Sequence, residues 1–142
     1  MQGDLRCRAL CLGCVVLVGV IAAGARWKQP FEGTRWKVTV TPDSDAANAG
    51  QKEFADVLVF KGGKFISETC VKYGFEPVEY NEEMSPGGFT ATFTAEPKSE
   101  KEGTAKWRGT IAASDMRGEM TWTKKDGTVL GYTFSGERMP EK

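Results

Sequence analysis

From Thr34 onward the chain alternates apolar and polar residues with a period of two, the mark of strands that bury one face. In Thr34 to Thr41, Trp36, Val38 and Val40 share one face, and Arg35, Lys37 and Thr39 share the other. An apolar run from Phe54 to Phe60 breaks at Lys61-Gly62-Gly63 and resumes from Lys64 to Cys70, which predicts a hairpin whose glycines supply the positive φ of a tight turn. Alternation returns in Phe89, Ala91, Phe93 and Ala95, then in Ala105, Trp107, Gly109 and Ile111. It recurs in Met116, Gly118, Met120 and Trp122, and finally in Leu130, Tyr132 and Phe134. With a short strand expected around Phe75 to Tyr80, eight strands follow one another, and the only helical feature expected is a turn near Gln29-Pro30-Phe31-Glu32.

The later joints, Ala113-Ser114-Asp115 and Lys124-Lys125-Asp126-Gly127, are too short for anything but antiparallel neighbours. Eight half-apolar antiparallel strands can hide their apolar faces by closing into an up-and-down barrel or by folding into a sandwich. A sandwich of Greek-key type needs several long crossing connections. Here the long connections are 42 to 50, 71 to 88 and 97 to 103, so the expectation is an all-β, eight-stranded meander barrel, with an antiparallel β-sandwich as the alternative.

Pointing the apolar face inward names the candidate lining of the lumen: Leu58, Phe60, Phe65, Phe89, Ala91, Phe93, Trp107, Met120, Trp122 and Tyr132. Large rings can fill a small barrel completely, with Ala91, Gly109 and Gly118 as small partners, or can wall an apolar pocket at one end. The stretch Cys70 to Gly88 mixes aromatics with glutamates and is expected to be a loop, with Tyr73, Phe75, Tyr80 and Met84 as portal or partner-binding candidates. Asp56, alone among apolar neighbours, is expected at an outward or edge position.

Ahead of this pattern lies a different segment. Arg6 and Arg8 precede the uncharged run Ala9 to Ala25, which ends in Ala23-Gly24-Ala25. Basic start, apolar middle and small terminal residues predict a signal peptide over 1–25, with cleavage expected after Ala25 and a single domain over 26–142. The chain is therefore expected to be secreted or periplasmic, meeting a membrane only through an uncleaved leader.

The full chain has 142 residues, 19 basic and 19 acidic side chains and no histidine. Loss of Arg6, Arg8 and Asp4 with the leader leaves 17 basic against 18 acidic, too balanced for an electrostatic nucleic-acid binder. Three of the four cysteines leave as well, so Cys70 has no internal disulfide partner and reads as a small buried hydrophobe. Without imidazole there is no Ser-His-Asp or Cys-His pair and no histidine metal ligand. Asp43-Ser44-Asp45 lacks the glycine and distal glutamate of a calcium loop. No metal, no cofactor and no enzymatic activity are expected.

Phe31-Glu32-Gly33-Thr34-Arg35-Trp36-Lys37-Val38 resembles the entry to the first strand of the calycins, the lipocalins and fatty-acid-binding proteins. Tyr132-Thr133-Phe134-Ser135-Gly136-Glu137-Arg138 is similar to their last strand. The resemblance implies that Trp36 packs at a closed barrel end with Arg138 across it. Here two residues separate glycine from tryptophan where the lipocalin pattern has one, and no helix is expected after the last strand. The chain is also similar to small exported bacterial proteins with a lipocalin-like barrel, which implies a fold and no particular ligand. The expected function is an exported, monomeric binding module for a small apolar molecule held in the barrel. The alternative is a protein-interaction module with a filled barrel, such as an inhibitor of a secreted hydrolase.

Overall fold

A computed structural model describes residues 29–141; the expected leader and its cleavage site lie outside the described residues. The chain forms β1 (Thr34–Pro42), α1 (Ser44–Asn48), β2 (Phe54–Lys61), β3 (Lys64–Ser67), α2 (Glu68–Val71), β4 (Val78–Met84), β5 (Thr90–Ala95), β6 (Lys98–Ser99), β7 (Gly103–Ala112), β8 (Asp115–Thr123) and β9 (Val129–Arg138). All pairings are antiparallel, β5 joins β7 directly, and β1 pairs with both β2 and β9. The sheet therefore closes on itself as an eight-stranded up-and-down barrel, with the two-residue β6 as a short addition beside β7. Closure leaves the main ladder without a free edge strand, which removes the commonest template for aggregation.

Register explains the inward set. Trp36, Val38 and Val40 of β1 are buried while Lys37 and Thr39 are exposed, and β5 and β7 repeat the pattern. The β2–β3 hairpin turns on Gly62 and Gly63, with φ of 62° and 74°, a pair of left-handed residues that side chains with a Cβ disfavour.

Phe31 closes one barrel end. Its ring is fully buried, with centroids 4.9 Å from Phe60 and 5.3 Å from Phe93. Phe60, Phe65, Phe93, Trp107 and Phe134 continue the stack, with Phe65 and Trp107 5.5 Å apart and Trp107 and Phe134 5.2 Å apart. Rings at such spacings fill the lumen with edge and offset contacts that add to simple burial. The chain holds the plug in place through Gly33 N–H to the Phe60 carbonyl at 2.7 Å, and Glu32 accepts from Gly62 N–H at 2.6 Å and Gly63 N–H at 3.0 Å.

Several expectations change. The added strand runs from Val78 to Met84, so Tyr80 and Met84 sit in β4 and the stretch to Gly88 is not a single loop. The run expected to continue to Cys70 stops at Ser67, where α2 begins, and the 42–50 connection contains α1. Phe89, expected in the lumen, is 86% exposed. It precedes β5 on the turn after Gly87-Gly88, beyond the end of the barrel wall, so its parity with Ala91 and Phe93 carries it to no interior position. Asp56, expected outside, is 3% exposed. It shares parity with Leu58 and Phe60, and the β2 pattern buries all three.

Candidate functional site: an apolar cup at the barrel mouth

The two ends of the barrel differ because the sequence supplies different lids. Opposite the Phe31 plug, the strands end at Pro42, Ser67, Ala95 and Thr123, and α1, α2 and the segment through Tyr73 and Phe75 surround the opening. There a half-enclosed cavity of about 330 Å³ is walled by Phe54, Phe75, Ala105, Met120, Trp122 and Tyr132. Gln51, Thr69, Cys70, Tyr73 and Glu102 complete its lining. The volume lies at the lower end of small-molecule pockets, and the apolar walls with a few convergent polar atoms are their usual composition.

The aromatic walls are fixed by their polar tips. Tyr132 donates its hydroxyl to Gln51 Oε1 at 3.0 Å, which ties β9 to the segment after α1. Trp122 donates its indole N–H to the Glu102 carbonyl at 2.7 Å, and Lys124 Nζ stands 5.1 Å from the Trp122 ring centroid. Each ring thus keeps its apolar face toward the cup without an orphaned donor. Burial raises the Tyr132 hydroxyl above its ordinary value, and the nearby Asp43 charge adds to the shift.

The α2 wall depends on a buried carboxylate. Asp56 accepts from Val57 N–H at 2.7 Å, from Thr69 N–H at 2.9 Å and from the Ser67 hydroxyl. Ser67 Oγ in turn accepts Cys70 N–H at 3.1 Å, capping the single turn of α2 from inside the barrel wall. Loss of solvent outweighs these bonds, so Asp56 titrates above the usual aspartate value. Burial likewise pushes the Cys70 thiol up to about 11, leaving a neutral sulfhydryl on the cup wall.

The candidate lining divides between cup and floor. Met120, Trp122 and Tyr132 meet at the mouth together with Phe75, which the chain had suggested as a portal residue. Leu58, Phe60, Phe65, Ala91, Phe93 and Trp107 belong to the packed core, all at most 2% exposed. Tyr73 is 60% exposed on the cup lip, while Tyr80 packs its ring 5.0 Å from Phe60, and Met84 lies exposed at the opposite end. These four therefore form no single portal. Trp36 and Arg138 face one another in the β1–β9 register. Trp36 is buried and donates to Thr34 Oγ1 at 2.8 Å, whereas the Arg138 guanidinium reaches Glu141 at 3.5 Å. Sequence reasoning missed Phe31 as the plug and Gln51, Phe54 and Ala105 in the cup, although the parity of Ala105 with Trp107 already placed it inside.

Among the described residues no cluster of three or more cysteine or carboxylate side chains is arranged to hold a metal ion. No helix of the described residues is long and apolar enough to cross a membrane. Comparison with protein-family models, with curated proteins and with solved structures finds no match.

Proposed function

We propose that the chain is an exported, calycin-like binding module that takes a compact apolar molecule into the cup at its barrel mouth. The apolar cavity of about 330 Å³ above a solid aromatic floor carries this reading. The floor limits the ligand: a long acyl chain has no channel to enter below Trp107 and Phe65, whereas a compact ring system can lie against Phe54, Phe75 and Trp122. Burial holds the Cys70 thiol on the cup wall in its neutral form, which suits binding without turnover. Titration with the neutral dye N-phenyl-1-naphthylamine tests the proposal. Saturable brightening that disappears in Ala105→Phe is expected; absence of brightening, or brightening unchanged by that substitution, overturns it.

A protein-partner reading rests on a separate observation. Met84, 52% exposed, and Phe89, 86% exposed, flank one hairpin at the closed end, away from the cup. Two large apolar side chains in solvent at one turn suit a protein contact. Binding of a secreted hydrolase that is lost in Phe89→Ser, by a protein that brightens no dye, would favour this reading over the first.

A further inference from the structure

The cup continues past its own rim. Tyr73 and Glu102 line it and also line an adjoining open groove, along which stand Lys72, Lys98, Lys101 and Lys125. The shared lip is fastened from beneath by Ser99, which is 3% exposed. Its hydroxyl donates to the Tyr73 carbonyl at 2.9 Å and accepts Glu102 N–H at 3.2 Å. One buried oxygen thus joins the segment after α2 to the turn between β6 and β7, so cup and groove keep a fixed relation.

The charges on the two sides of this lip differ. Glu102 is the one charged side chain lining the cup itself, so an anionic group inside would lack a counter-charge and meet repulsion. None of the four groove lysines has an acidic partner within 4.0 Å; the ion pairs among the described residues are Arg35–Glu68, Lys64–Glu79 and Arg138–Glu141. Glu76, Glu100 and Glu102 share the groove, which leaves a surplus of one positive charge there, and Lys124, with Asp126 near it, stands over Trp122 beside the cup. Unpaired ammoniums on flexible stems can gather on an anion, while the same surplus disfavours a cation.

We propose that the ligand is a compact amphiphilic anion, with its apolar body in the cup and its anionic group carried over the Tyr73–Glu102 lip into the lysine groove. The inference rests on the reading of the cup as a binding site and adds the chemical class of what binds. Carboxylate, sulfonate and phosphate share the required chemistry.

A matched pair of dyes separates the two claims: neutral N-phenyl-1-naphthylamine and anionic 8-anilino-1-naphthalenesulfonate, titrated against the full folded protein. The sulfonate is expected to bind about fivefold tighter in low salt, an advantage that fades as added salt shortens the screening length. The double variant Lys72→Gln/Lys98→Gln is expected to bring the sulfonate to the affinity of the neutral dye while leaving the neutral dye unchanged. Equal affinities in the unsubstituted protein, or a preference that survives both salt and the double variant, overturn the anion proposal and leave the cup standing. If neither dye binds, the cup reading falls and this inference falls with it. Ala105→Phe, which fills the cup, is expected to remove both signals, whereas a sulfonate signal that persists there places the dye elsewhere and also overturns the proposal.

Discussion

The Ser67 hydroxyl donates to the Asp56 carboxylate inside the barrel wall, and through that contact the strand pair β2–β3 holds the α2 turn that forms one side of the cup. Asp56 is the one buried acidic side chain among the described residues. Its three donors explain why it stays inside, and they also say which substitution it tolerates.

Asp56→Ala strands the Thr69 N–H and the Ser67 hydroxyl and is expected to cost about 1–3 kcal/mol. Asp56→Asn can accept from Thr69 and donate to Ser67 with no charge to desolvate, so it is expected to remain within about 1 kcal/mol of the unsubstituted protein. Because burial raises Asp56 above 3.8, the folded state holds this proton more tightly than the unfolded chain. Its contribution to stability therefore falls as pH rises from the ordinary aspartate value through the raised one. Chemical denaturation across the acid range checks this: Asp56→Asn should remove that component of the slope, and an unchanged profile would refute the assignment.

Glu32 acts in the opposite sense at the closed end. The Gly63 N–H bond, with help from Gly62 and from the Tyr80 hydroxyl at 3.1 Å, holds its carboxyl below 4.5. The stability it contributes is present above the ordinary glutamate value and is lost as pH falls through the lowered one. Glu32→Ala releases both turn amides to water, and because the site is open to solvent the expected cost is about 1 kcal/mol near neutral pH. Hydrogen exchange should speed up at Gly62 and Gly63. Unchanged exchange there would show that the hairpin holds itself.

Gly118 marks a place where the barrel admits no side chain. A Cβ there would lie 2.5 Å from Phe134 Cζ and 2.6 Å from Gly109 Cα, its partner across β7 and β8. Backbone has little room to retreat in a closed sheet, so Gly118→Ala is expected to destabilise by about 3 kcal/mol or more. Gly127→Ala supplies a contrast: it meets nothing within 4 Å, but its φ of 89° still strains an alanine, and a smaller loss of about 1 kcal/mol is expected. Thermal melts of the pair should separate clearly.

Much of this was legible in the alternation of residues. Period two fixes which side chains enter the lumen, and short joints fix antiparallel neighbours, so a barrel of eight strands follows from Trp36, Trp107, Met120 and Phe134 and their polar neighbours. What escaped depends on contacts far apart in sequence. Phe31 lies outside any strand and becomes a plug because Gly33 is tied to Phe60. Phe89 has the right parity but falls one residue before its strand begins. Asp56 carries a charge that points outward and a parity with Leu58 and Phe60 that points inward, and the donors that make burial tolerable come from Ser67 and Thr69 beyond the hairpin. The question of a filled or open lumen has a divided answer: aromatic rings fill the closed end, and small Ala105 leaves room at the mouth.

Cys70 offers a probe of that mouth that needs no ligand. With its thiol pushed from 9.0 to about 11, the thiolate fraction near neutral pH is about a hundredfold lower than for an unperturbed thiol. Maleimide labelling in native buffer should be slower by at least that factor and should reach the ordinary rate in denaturant. Fast native labelling would mean that α2 opens readily, and the cup would then lack a fixed wall.

Two alanines on the inward face, one in the floor and one in the cup, are expected to give opposite outcomes. Ala91 is 2% exposed and lies opposite Ile111 on β7, in the part of the barrel that Phe93 and its neighbouring rings fill, so Ala91→Phe has no space to enter. It is expected to destabilise by about 1–3 kcal/mol and to leave dye affinity per folded molecule unchanged. Ala105 is equally buried but borders the cavity of about 330 Å³, and Ala105→Phe can place its ring there with little strain. Stability close to that of the unsubstituted protein and loss of dye binding are expected. The reverse pattern, with Ala91→Phe abolishing binding in a stable barrel, would move the site from the mouth to the lumen and sink the division between floor and cup.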